Sequence, residues 1–97
     1  MMLLSKKISG ATRIAQTPGN LVSDMDGEKV MLNIANGKYY NLGKQGGVIW
    51  AFIKYPIAID SLIEYLLNEY EIDRSQCEQQ VLGFIHSLYK EGLIQID

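Results

Sequence analysis

The chain holds one cysteine, one histidine and two prolines in 97 residues, and neither sign of charge prevails. With Cys77 alone no internal disulfide can form, so the fold does not depend on oxidation and a reducing cytoplasm is the expected compartment. His86 has no second imidazole to share a metal with. No Gly-x-Ser-x-Gly, His-x-x-x-His or Cys-x-x-Cys is present, so the common nucleophile–base and metal-ligand spacings are missing and no enzyme activity is expected. Nine Lys and Arg stand against eleven Asp and Glu, a net charge of −2. That balance lacks the basic footprint of a nucleic-acid-binding domain. No apolar run approaches the roughly 20 residues that cross a bilayer. Met1-Met2-Leu3-Leu4-Ser5-Lys6-Lys7 is too short and has its lysines on the wrong side for a signal peptide.

What is present fits one domain, preceded by a flexible segment over residues 1–20. Thr12 to Gln16 reads as a short strand added to a sheet edge, ended by the turn formers Thr17-Pro18-Gly19-Asn20. Residues 21–42 read as a three-stranded antiparallel meander: Leu21 to Met25, Lys29 to Ile34 and Lys38 to Leu42. Its joints are Asp26-Gly27 and Asn36-Gly37, both expected as type I′ turns. The period then becomes helical. Residues 44–55 carry Val48, Ile49, Phe52 and Ile53 at helical spacing, with Gly46 and Gly47 letting the helix approach the sheet and Pro56 ending it. Ile59 to Tyr70 is a second, strongly amphipathic helix. Asp73-Arg74-Ser75-Gln76 resembles a capping box opening a third helix to about Glu91, with Gly92 at C′ and an extended end from Leu93 to Ile96. Sheet and helices segregate along the chain, so the class is α+β, a three-stranded antiparallel meander followed by three α-helices.

Few residues invite a chemical reading. His86 falls on the polar side of the third helix, and Cys77 falls on its buried stripe, where free cysteine is usually found. Asp24-Met25-Asp26-Gly27-Glu28 lacks the later ligands and closing glutamate of a calcium loop and reads as a hairpin. No glycine cluster is followed by the lysine and serine or threonine of a phosphate loop.

Two features stand above this background. The strand Lys38-Tyr39-Tyr40-Asn41-Leu42 closes the meander, so one side of its backbone is a template for another strand unless the chain itself covers it. On the third helix Cys77, Val81, Phe84 and Leu88 form a core stripe at about 100° per residue, and Ile85, Leu82 and Tyr89 widen it on one side only. The opposite flank, Gln80, Ser87 and Glu91, is polar. The extra width is explained either by a broader core or by a second contact. An open strand beside an apolar helix flank is a groove for an extended peptide, bound by β-augmentation.

The text Asn36-Gly37-Lys38-Tyr39-Tyr40-Asn41-Leu42, then Gly46-Gly47-Val48-Ile49-Trp50, resembles the PqqD-like family, and within it the stand-alone members of lasso-peptide gene clusters. The resemblance runs from about residue 21 to 96. Gly43, Gln45 and Ala58 depart from the asparagine, hydroxyl residue and threonine common in the family, all at helix starts. The resemblance implies a winged-helix-like fold that grips the leader of a ribosomally made precursor peptide between the third strand and the third helix. It implies partners: a transglutaminase-like leader peptidase and an ATP-dependent macrolactam synthetase, or, as for PqqD itself, a radical SAM enzyme. No cofactor, nucleic acid or membrane is implied, and the chain is expected as a monomer or homodimer. A winged-helix DNA-binding regulator is the alternative reading of the same fold. Carried onto this chain, Lys38, Tyr39, Tyr40, Asn41 and Leu42 pair with the leader. Glu78, Val81, Leu82, Ile85 and Tyr89, chosen from the helical wheel, line the wall. On that choice Leu82→Asp or Ile85→Asp removes binding without unfolding.

Overall fold

The computed structural model describes residues 8–96. Residues 1–7 of the expected flexible segment lie outside the described residues. The order is β1 (Arg13–Gln16), β2 (Asn20–Met25), β3 (Glu28–Asn33), β4 (Tyr39–Leu42), α1 (Gly43–Phe52), β5 (Ile57–Ala58), α2 (Ile59–Glu69), α3 (Arg74–Lys90) and β6 (Ile94–Ile96). Two three-stranded sheets form, β2-β3-β4 and β5-β1-β6, with every pairing antiparallel. The α+β class and the meander followed by three helices are as the sequence implies.

The meander's two turns differ. At Asp26-Gly27 both residues have positive φ, +55° and +83°, the I′ geometry that Asp-Gly tolerates. At the second joint only Gly37 does, at +71°. There the Asn33 N–H donates to the Lys38 carbonyl and the Gly37 N–H returns to the Asn33 carbonyl, each at 2.9 Å, so four residues rather than two form the loop. Asn33 is the reason. Its buried amide Oδ1 accepts from the Asn36 N–H at 2.9 Å, and its Nδ2 donates to Asn20 Oδ1 at 2.8 Å. Two asparagine side chains thereby stand in for the tighter turn.

The second sheet is the part that periodicity did not reveal. β1 is its middle strand, not an edge, and Ile14 is fully buried in the core. Strands of two to four residues are too short to display an alternation, and their partners lie far along the chain. The segment from Gly10 through β1 also satisfies backbone groups at the ends of two helices. The Ile59 and Asp60 N–H groups at the start of α2 donate to the Thr12 and Gly10 carbonyls at 3.0 and 2.9 Å, which relieves the missing cap at Ala58. At the end of α1, Gln16 Nε2 donates to the Trp50 carbonyl at 2.7 Å and the Gln16 N–H to the Ile53 carbonyl at 2.9 Å. α1 therefore stops at Phe52, earlier than Pro56 alone requires, and the chain is released to form β5.

α3 matches its sequence signals closely. The Asp73 carboxylate accepts from the Gln76 N–H at 3.2 Å. Gly92, at φ +76°, closes a Schellman motif: the Gly92 N–H donates to Tyr89 and the Leu93 N–H to Leu88. The core holds Ile14, Met31, Ile49, Trp50, Ile53, Leu62, Val81, Ile85 and Leu88 from both sheets and all three helices.

Candidate functional site

β4 is an edge strand. Its inner side pairs with β3, with Met31 opposite Tyr40 and Leu32 opposite Tyr39, and no strand of the described residues pairs with its outer side. In an antiparallel pair, hydrogen-bonded and non-bonded positions alternate. The Asn33–Lys38 backbone bond sets that alternation, so residues 38, 40 and 42 turn their peptide groups toward β3. Tyr39 and Asn41 turn theirs outward. Their side chains are exposed as well, Tyr39 to 72%. Tyr40 and Leu42 point the other way, sharing a face with the buried Met31.

That face meets α3. The Tyr40 hydroxyl donates to Glu91 Oε1 at 3.1 Å, and Lys38 Nζ lies 3.9 Å from the same oxygen. Further along, Phe84 presses toward α1: a Cβ at Gly46 would stand 3.0 Å from its Cζ and 3.3 Å from Leu42 Cβ. The missing side chain at Gly46 lets the first turns of α1 come this close without displacing the ring. Beyond the end of β4 the groove opens into a cleft of about 930 Å³ between α1 and the first half of α3, lined by Leu42, Val48, Ile72, Gln76, Gln80 and Phe84 among others.

The α3 residues that line this cleft include Gln76, Gln80 and Phe84, and Glu91 at the helix end meets Tyr40 and Lys38. Ile85 is fully buried in the core, and Val81, at 1% exposure, lies at the floor of the cleft rather than on an open surface. Leu82, Tyr89 and Glu78 sit roughly 120–160° around α3 from Phe84. Glu78 lies beside α2, where the Arg74 guanidinium bridges it to Glu64. Leu82 packs against the core and Tyr89 is exposed on that far side. Lys38 and Tyr40 meet Glu91 at the end of α3, Leu42 lines the cleft with Phe84, and Tyr39 and Asn41 turn their backbone outward. The wheel identified an apolar surplus but could not say which flank α2 would take. The sequence signal for the Phe84 flank is Gly46, whose missing Cβ leaves room for the Phe84 ring, while the space at Gly47 is taken by Lys29.

Cys77 is buried in the core, and burial pushes its thiol up, with Glu78 adding to the effect and Arg74 opposing it. Its position on the core stripe is as the sequence reading has it. Among the described residues no group of three or more His, Cys, Asp or Glu is placed to hold a metal ion. No helix of the described residues is long and apolar enough to cross a membrane.

Residues 28–94 match the family described as coenzyme PQQ synthesis protein D (PqqD), a span running from β3 to β6 that includes both walls of the groove. The chain belongs to the PqqD family. Two solved structures share this PqqD-family fold. TbiB1 in complex with the TbiA(beta) leader peptide has a TM-score of 0.74 at 22% identity, covering 84% of this chain and 94% of that one. A lasso peptide synthetase B1 complexed with the leader peptide has a TM-score of 0.67 at 22% identity, covering 84% of this chain and 96% of that one. No curated protein sequence matches the chain.

Proposed function

We propose that this PqqD-family chain is a non-catalytic carrier that binds the leader segment of a ribosomally made precursor peptide as an added strand on β4. It delivers that segment to a leader peptidase and a macrolactam synthetase of lasso-peptide biosynthesis, in the cytoplasm. The observation that carries the reading is the outward backbone of Tyr39 and Asn41 beside the α3 wall of Phe84 and Glu91. An extended guest satisfies its backbone on the first and buries alternate side chains against the second. The two structures of similar fold, each holding a leader peptide, support it.

In this reading the contacts are Lys38, Tyr39, Tyr40, Asn41 and Leu42 on the strand and Gln80, Phe84 and Glu91 on the helix. A DNA-binding role fits less well. α3 offers only Arg74 and Lys90 as cations, and Arg74 is already engaged by two carboxylates.

The test is hydrogen exchange and fluorescence anisotropy with a synthetic lasso-precursor leader peptide. Binding at micromolar affinity or better, with slowed exchange at the Tyr39 and Asn41 amides, is expected. Binding with no protection on β4, or no binding, overturns the reading.

A further inference from the structure

Delivery requires a second surface that stays free while the groove is filled, and α1 carries one. Its sequence, Gly43 to Phe52, is apolar nearly all round and has no carboxylate. A helix of that kind is normally enclosed on all sides. Here Gly46, Gly47, Ile49 and Trp50 face the core, while Ala51 is exposed and Val48 and Phe52 are half-buried. Phe52 stacks on the exposed Tyr65 of α2, ring centroids 5.5 Å apart and 17° from parallel. Val48, Ala51 and Phe52 also line a shallow, mainly apolar hollow of about 540 Å³, with Lys44 at its border.

The rim of this patch is positive. Lys44 stands at one end of α1, and Lys54, just past the other end, lies over the exposed Tyr55 ring at 5.8 Å. Neither lysine has a carboxylate partner among the described residues, although the whole chain is net negative. An apolar centre with a cationic border is complementary to an apolar protein surface fringed by carboxylates. A second copy of this chain does not fit that description, because a two-fold contact would bring the same lysines and no α1 carboxylate to meet them.

Position identifies the partner further. Lys44 and Val48 border both this hollow and the cleft at the end of β4. Whatever sits on α1 stands next to the point where a guest strand leaves the groove.

We propose that the outer face of α1, with Val48, Ala51, Phe52 and Tyr65 between Lys44 and Lys54, is the docking surface for the enzyme that acts on the guest peptide, and that this enzyme presents an apolar patch edged by Asp and Glu. This rests on the leader-binding reading but uses residues outside the β4–α3 contacts.

The full chain and its Ala51→Glu and Lys54→Glu variants are titrated separately with a purified lasso-peptide leader peptidase and with a synthetic lasso-precursor leader peptide. The expected result is an at least tenfold loss of peptidase affinity in both variants, a wild-type peptidase affinity that falls as salt is raised, and unchanged peptide affinity and melting temperature. Peptidase binding that is absent in the wild type, or undiminished in the variants, overturns the proposal. Concentration-dependent dimerisation of the wild type, abolished by Ala51→Glu, overturns it in favour of self-association. Loss of peptide binding in the wild type itself sinks the leader-binding reading instead.

Discussion

The Tyr40 hydroxyl, on the edge strand, donates to the Glu91 carboxylate, one residue past the end of α3. This bond and the Lys38–Glu91 contact tie the first residues of β4 to the helix end and so set the distance between the two walls of the groove there. Both partners are surface groups, so the bond adds little to stability, about 0.5–1 kcal/mol. Tyr40→Phe and Glu91→Gln are each expected to leave the melting temperature within a few degrees of wild type and to weaken leader binding several-fold. Calorimetry and anisotropy on the same samples check this.

The outward backbone of β4 is testable without touching the wall. Proline at position 39 removes an N–H that faces away from β3 and spares the ladder to it. Tyr39→Pro is expected to fold and to lose at least tenfold in leader affinity. Tyr39→Phe retains binding. Circular dichroism establishes the fold and anisotropy reads the affinity.

The choice of helix flank separates two substitutions. Phe84→Ser, on the groove side, is expected to reduce leader affinity at least tenfold at a cost of about 1–3 kcal/mol in stability, since Phe84 is only partly buried. Leu82→Ser lies roughly 160° around α3 from Phe84 and is expected to cost a similar amount of stability with binding preserved. Ile85→Asp places a carboxylate in the core and unfolds the chain, so it cannot report on binding. Denaturant titration alongside anisotropy distinguishes the three.

Gly46 couples packing to the site. An alanine there gains about 1 kcal/mol of helix propensity but brings a methyl within 3.0 Å of the Phe84 ring. Gly46→Ala is expected to be close to neutral in stability, with the ring displaced by a few tenths of an ångström. Gly46→Leu overpacks the junction and costs roughly 1–3 kcal/mol. Both weaken leader binding, the leucine more strongly. Thermal melts and anisotropy on the pair test the order.

Cys77 gives a pH dependence. Burial raises its pKa in the folded chain, so the folded state keeps a proton that the unfolded state releases above the ordinary thiol value of about 8.5. Unfolding then becomes easier as pH rises through that range, and the stability associated with the neutral thiol is fully present below it. Cys77→Ala is expected to flatten the alkaline part of the stability curve, measured by denaturant titration from neutral to alkaline pH. Native Cys77 is expected to resist alkylation until the chain unfolds.

Local chemistry was sufficient for the strands of the meander, the existence of the three helices and the two ends of α3. Asp26-Gly27 dictates its turn because few other pairs accept two positive φ values. Asp73 and Gly92 terminate α3 through bonds to backbone groups a few residues away. The apolar stripe of α2 needs no knowledge of what it packs against. The strand Lys38 to Leu42 likewise announces itself as the last of the meander, and with it the backbone half of the site.

Only the tertiary structure decided the rest, because each remaining feature depends on groups far apart in the chain. Arg13–Gln16 becomes the middle of a sheet only when Ile57–Ala58 and Ile94–Ile96 arrive on its two sides. The Asn33–Asn20 contact, spanning β2 and β3, overrules the turn that Asn36-Gly37 favours. An apolar helix wheel states how much surface α3 must bury but not in which direction. The packing of α2 against one flank assigns Leu82 and Glu78 to that side, and the gap at Gly46 draws Phe84 to the other. A helix is rotationally ambiguous in its own sequence, and its neighbours remove the ambiguity.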